Sequence, residues 1–216
     1  MSDDRSETPR EYHRPVQRPA STFDRRYGST DPAEVSRAAH ATASALLTRV
    51  RDEPSHEVVD RLVTLTDTHG IDTLAELWSH SPASSLPGAL WRLYLLQLMV
   101  RDDAPTAALL YERGRTVRHG VDIVVAGAPT PAGPEELMAL VDEILRGVFT
   151  GDFAVALERA ASFCRVEAAG AADLADDYDG AEPDRAAALT TRALRLDTYA
   201  GELTTCAGLW RRHSLT

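Results

Sequence analysis

The sequence predicts an all-α protein of about eight helices, with orthogonal or bundle packing and a long C-terminal antiparallel helical hairpin. Three observations carry that expectation. Ala, Leu and Arg dominate the composition and β-branched residues are sparse, which favours helix over sheet. Capping residues recur immediately before apolar runs of helical period. The last thirty residues carry an unbroken stripe of alternating Leu and Ala at 4-3 spacing.

Residues 1–30 are read as a flexible Arg/Pro-rich arm preceding a single helical domain over 31–216. In the arm, Tyr12, Phe23 and Tyr27 lie among Arg10, Arg14, Arg18, Arg25 and Arg26. That mixture suits an acidic partner or stacking on bases, although a tail laid over its own acidic domain is the simpler reading.

The domain opens with Asp31 as N-cap, Pro32 in the first helical position and Glu34 completing a capping box. Val35, Ala39, Thr42, Leu46 and Val50 then share a face. Pro54 breaks this helix. A second runs from about Ser55 to His69, with Gly70 as its stop, and Asp72 caps a short third bearing Leu74, Leu77 and Trp78. Ser84 or Ser85, followed by Leu86-Pro87, opens a fourth helix over 86–101. Its run ALWRLYLLQLMV is apolar on nearly every face, so it is expected to be the central, most enclosed helix. Arg92 and Gln97 interrupt the run, which is too short to span a bilayer.

Asp103 caps a fifth helix over 104–118. Pro134 starts another, with Leu137, Met138, Val141, Ile144, Leu145 and Val148 on one side and Gly151 at its end. The hairpin pairs 152–178 with 183–212. Leu189, Ala193, Leu196, Ala200, Leu203, Ala207 and Trp210 face Phe153, Leu157, Ala160, Cys164, Ala171 and Leu174. Glu167 is the one misfit on the first arm. Helix starts near 32, 55, 72, 86, 104, 134, 152 and 183 have no fixed period, so this is no repeat array.

Between the fifth and sixth helices runs GVDIVVAGAPTPAG (120–133), a long apolar connection punctuated by Gly and Pro. Such a connection inside a helical domain is unusual and often functional. Arg113, Arg115, Arg118 and His119 precede it, and Tyr111, Arg115 and Arg118 share a helical face. The candidate binding residues are therefore Arg113, Arg115, Arg118, His119, Val124, Val125 and Pro129. A basic patch beside an apolar loop suits an anion or the acidic face of a partner. A basic helix end that offsets the macrodipole is the structural alternative. Glu135 and Glu136 in the next first turn argue against phosphate there. If exposed around Val124, Val125 and Pro129, the loop is a docking surface; if buried, it is a fold element.

Much chemistry is excluded. All 23 basic residues are Arg, so no Schiff-base, P-loop or kinase-type lysine exists. There is no GxSxG, GxGxxG or GxxxxGK[ST], and the seven histidines make no HxxxH or HExxH. No cofactor and no metal are expected. The acidic turn at Asp176, Asp177, Asp179, Glu182 and Asp184 lacks EF-hand spacing and reads as solvated. Cys164 and Cys206 fall roughly 14 Å apart along the hairpin, beyond disulfide reach, and are expected as separate buried thiols. A net charge of −10 argues against nucleic-acid binding through the whole surface. The polar N-terminus carries no apolar signal segment, which points to a cytoplasmic protein.

The segments LPGALWRLYLL (86–96), VVAGAPTPAGPEE (124–136) and ILRGVFTGDFAVALERAASFCR (144–165) resemble an uncharacterised helical family of GC-rich Gram-positive bacteria. The resemblance runs from about Tyr12 to the C-terminal LWRRHSL. Members sometimes carry an automatic label of RNA polymerase β-subunit. The residues here give that label no support, since no polymerase metal-binding or nucleic-acid-binding signature is present. The resemblance implies a fold and a lineage, and supplies no catalytic residues.

The expectation for function is a cytosolic, non-catalytic adaptor or regulatory protein that binds another protein, as a monomer or homodimer. An association with transcription rests on the family label alone. The alternative is a helical small-molecule-binding or enzymatic domain, with an anion site near 113–133.

Overall fold

The computed structural model describes residues 31–52, 57, 59, 76–118 and 133–216. Among them the fold is all-α, with six long helices and no strand. These are α1 (Pro32–Asp52), α2 (Leu86–Asp102), α3 (Ala104–Val117), α4 (Pro134–Thr150), α5 (Phe153–Tyr178) and α6 (Pro183–Arg211). The helices expected from about 55 and 72 lie mostly outside the described residues, although 57, 59 and 76–79 are helical.

The caps follow the sequence. Asp31 accepts a hydrogen bond from the Ala33 amide at 3.0 Å. Ser85 Oγ accepts from Gly88 N at 3.2 Å, and Asp103 from Thr106 N at 3.2 Å. Asp152 caps α5 through the amides of Ala154 and Val155, at 2.8 and 3.2 Å. Each cap satisfies donors that have no partner inside the helix.

Among the described residues the α5–α6 hairpin is the largest helix–helix contact, and α3 and α4 also pack against α5. The Leu/Ala stripe of α6 is inside as expected: Leu189, Leu196, Ala200, Leu203 and Ala207 are buried, and Ala193 and Trp210 are half-buried. The α5 set Phe153, Leu157, Ala160, Cys164, Ala171 and Leu174 is buried throughout. Cys164 and Cys206 are separate, buried and free. Cys206 donates to the Ala83 carbonyl at 3.3 Å. Burial raises both thiols, Cys206 to about 11, so neither supplies thiolate near neutral pH.

Two expectations are corrected. On α1 the buried line is Ala39, Ala43, Leu47 and Val50, while Val35, Thr42 and Leu46 flank it. More consequentially, α2 is not the most enclosed helix. Leu98 is 47% exposed and Trp91, Tyr94 and Leu95 are only half-buried. The enclosed helix is α5, whose many Ala residues and single Gly170 let neighbours approach on several sides. Composition marks α2 as apolar, but enclosure depends on how extensively the neighbouring helices cover a helix, and those on α5 cover it more.

The other end of the core is closed by Arg51. Its guanidinium donates to the carbonyls of Val148 (3.2 Å) and Gly151 (2.6 Å) and lies 5.9 Å from the Trp210 ring. It thereby satisfies carbonyls at the end of α4 that the helix leaves open.

Candidate functional site

Helix α2 is apolar on both faces but buried on one. Leu86, Ala89, Leu90, Leu93, Leu96, Gln97 and Val100 point into the core. Trp91, Tyr94, Leu95 and Leu98 follow i, i+3, i+4, i+7 spacing on the opposite side. Trp91 and Tyr94 stack with centroids 5.5 Å apart. The two polar interruptions have structural work. Arg92 pairs with Glu202 of α6 and donates to the Gly88 carbonyl at 3.0 Å. Gln97, 1% exposed, donates to Asp142 of α4 at 3.1 Å, and Arg101 reaches the same carboxylate oxygen at 3.3 Å. Polar side chains pin the stripe's edges and inner face to α4 and α6. The stripe itself is Trp, Tyr, Leu and Leu.

The basic end of α3 is less open than its sequence suggests. Arg113 donates to Asp173 and Asp177 of α5, at 2.9 and 2.6 Å. Those bonds raise the Arg113 guanidinium pKa further. Arg115 pairs with Glu112 at 3.4 Å, and Arg118 is half-buried at the end of the helix. His119, Val124, Val125 and Pro129 lie outside the described residues, as does the loop up to residue 132. The acidic hairpin turn is exposed at Asp176, Asp177, Asp179, Glu182 and Asp184. Its Asp177 serves Arg113, and Arg185 lies 4.0 Å from the Tyr178 ring centroid. Among the described residues no group of three or more His, Cys, Asp or Glu side chains is placed to hold a metal.

A second polar feature lies where α3 crosses α5. A Cβ on Gly114 would overlap the Val166 carbonyl oxygen, and one on Gly170 would overlap that of Leu110. Only two glycines allow backbones this close. Three residues before each glycine stand Tyr111 and Glu167. Tyr111 is buried and stacks on Phe163 at 5.1 Å. Glu167 is 0% exposed and accepts one hydrogen bond, from Arg192 of α6 at 3.3 Å. Its Oε1 and the Tyr111 hydroxyl oxygen are buried without a hydrogen-bond partner among the described residues. Burial pushes the Glu167 carboxyl up to about 7, and the opposing pull of Arg192 is smaller. Burial also raises the Tyr111 phenol.

Sequence spacing marks Glu167 only as a misfit in an apolar stripe and places Tyr111 with Arg115 on one face. Arg192 gives no signal, because α6 is rich in Arg and Thr on its outer side. The outward stripe of α2 is visible as apolarity on every face, a pattern that points to the core rather than to a surface.

These features define an all-α helical protein with a half-exposed aromatic-aliphatic stripe and a buried polar crossing. No family model, no curated protein and no solved structure matches the chain. No helix among the described residues is long and apolar enough to cross a membrane.

Proposed function

We propose that this chain is a non-catalytic protein-interaction protein of adaptor or regulatory type, and that the outward face of α2 is its docking surface. The observation that carries the reading is the stripe Trp91, Tyr94, Leu95, Leu98, with Leu98 47% exposed. Aromatic and large aliphatic side chains clustered on one rigid helix face are the residue types that anchor protein interfaces. The Trp91–Tyr94 stack pre-positions both rings, which lowers the ordering cost of binding. The polar contacts of Arg92, Gln97 and Arg101 fix the helix from behind.

The test is co-purification of tagged full-length protein from its own host, beside a Tyr94→Glu variant with an unchanged circular dichroism melt. A stoichiometric partner recovered with the wild type and lost with the variant supports the reading. Wild-type protein recovered alone at native abundance overturns it. Arg113 donates from one guanidinium nitrogen to both Asp173 and Asp177 of α5, which offsets its charge and weakens it as an anion-orienting group in a ligand-binding reading.

A further inference from the structure

The buried apolar side chains fall into two groups. The larger contains most of α1, α2, α4 and the base of the hairpin. The smaller consists of Leu110, Ala171, Leu174, Ala175 and Leu189, with Tyr178 and Ala193 packed against it. On α5 the larger group ends at Ala168 and the smaller begins at Ala171; on α6 the boundary lies between Leu196 and Leu189. Arg192 stands on that boundary, Glu167 lies at the edge of the larger group one residue before Ala168, and Tyr111 is the larger group's neighbour of Leu110 on α3.

We propose that the Tyr111–Glu167–Arg192 seam is a proton-gated latch, which holds the hairpin tip closed while Glu167 is protonated and loosens it when the proton is lost to water. The groups acting on the seam come from all three helices. Arg192 approaches from α6. Tyr111 and, through it, Arg115 approach from α3, and Asp103, at the start of α3, acts on Arg192. Cys164 lies one turn away on α5 itself. A neutral carboxyl is tolerated in this fully buried crossing. A carboxylate has one bond from Arg192, and its Oε1 has no donor among the described residues. The side chain is 0% exposed, so bulk water does not reach it to make up the difference. Hydrating the charge therefore requires the crossing to part. The element that parts is the tip, because its own apolar group is small. With a folded pKa near 7 against an ordinary 4.5, the loosening accumulates as pH rises from about 4.5 and is complete just above 7.

The experiment is hydrogen exchange with mass spectrometry on the full chain between pH 6 and 8, corrected for intrinsic exchange rates. Peptides covering 168–193 are expected to lose protection about tenfold more than peptides of α4, as one proton with a pKa near 7 dictates. Glu167→Gln should abolish that excess. Arg192→Gln, which removes the group that lowers the carboxyl, should extend the loss to higher pH and so enlarge the change between pH 6 and 8. The Arg192→Gln shift is read independently, so the proposal remains testable if the Glu167→Gln variant does not fold. Equal loss of protection in tip and α4, or an unchanged profile in either variant, would overturn the latch.

Discussion

Helices α2 and α5 reverse the roles that their sequences suggest. The run in α2 is apolar around its circumference, yet Leu98 is nearly half exposed. Helix α5 carries Glu158, Arg159, Arg165 and Glu167, yet most of its length is buried. The difference lies in side-chain size and neighbours. Helix α5 presents Ala and Gly, so α3, α4 and α6 all come close to it. Helix α2 touches α1, α3, α4 and α6, but its large Trp, Tyr and Leu side chains hold the described neighbours at less extensive contacts than the Ala-rich faces of α5 make. Small residues create enclosure; large apolar ones on a half-exposed face create a surface that favours association.

The comparison breaks most severely at the crossing. Gly170→Ala, or Gly114→Ala, places a methyl carbon inside a backbone carbonyl's radius. The helices must separate, at a cost of about 3 kcal/mol. Thermal melts should show a midpoint fall of roughly 6–12 °C. A fall of less than about 2 °C would mean that the close approach does not hold α3 to α5.

Next is the charge inside α5. The folded Glu167 pKa, about 7, lies above its ordinary value of 4.5. The folded state therefore holds this proton more tightly than the unfolded chain. The corresponding stability is fully present below about pH 4.5, declines as pH rises to 7, and is absent above. Replacement by Gln, always neutral, should leave stability near pH 4.5 unchanged and raise it above pH 7 by up to about 3 kcal/mol. Urea denaturation across that range reads the difference. A variant less stable than wild type at pH 8 would show that the Arg192 pair outweighs desolvation.

A smaller effect is expected from Tyr111→Phe. The ring stack on Phe163 remains, and a buried hydroxyl without a partner among the described residues is removed. Stability should change by less than about 0.5 kcal/mol, or improve. A loss above about 1 kcal/mol in the same denaturation assay would reveal a hydrogen bond made by that hydroxyl. Least of all should be felt at Leu98→Ser, a change on the outward stripe, which should leave the melt within about 0.5 kcal/mol of wild type.

Most of the helical frame is legible in the sequence because period and capping are local signals. Ser85, Asp103, Pro134 and the α6 stripe each announce their element within a few residues. The site is legible only in part. An isolated Gly inside a helical pattern reads as a propensity cost, and nothing near Gly114 shows that Gly170 will meet it. Glu167 is visible as an exception, but its partner Arg192 is 25 residues away and becomes evident only when the hairpin closes. The partial exposure of α2 is hidden because apolarity on every face does not say which face is less covered. Of the residues proposed from sequence, Arg113 is bound to α5, Arg115 and Arg118 end α3, and His119, Val124, Val125 and Pro129 fall outside the described residues.

The central claim, that the outward face of α2 docks a partner, is tested most directly by site-specific photo-crosslinking in the host. A photoreactive residue is placed at Leu98 and, separately, at Leu194 on α6, which is more exposed at 66% but flanked by Thr191 and Thr198. A discrete adduct with one other protein from position 98, absent from position 194 and suppressed by Tyr94→Glu, is the result expected. Identical adducts from both positions, or none from position 98 at native abundance, would contradict it.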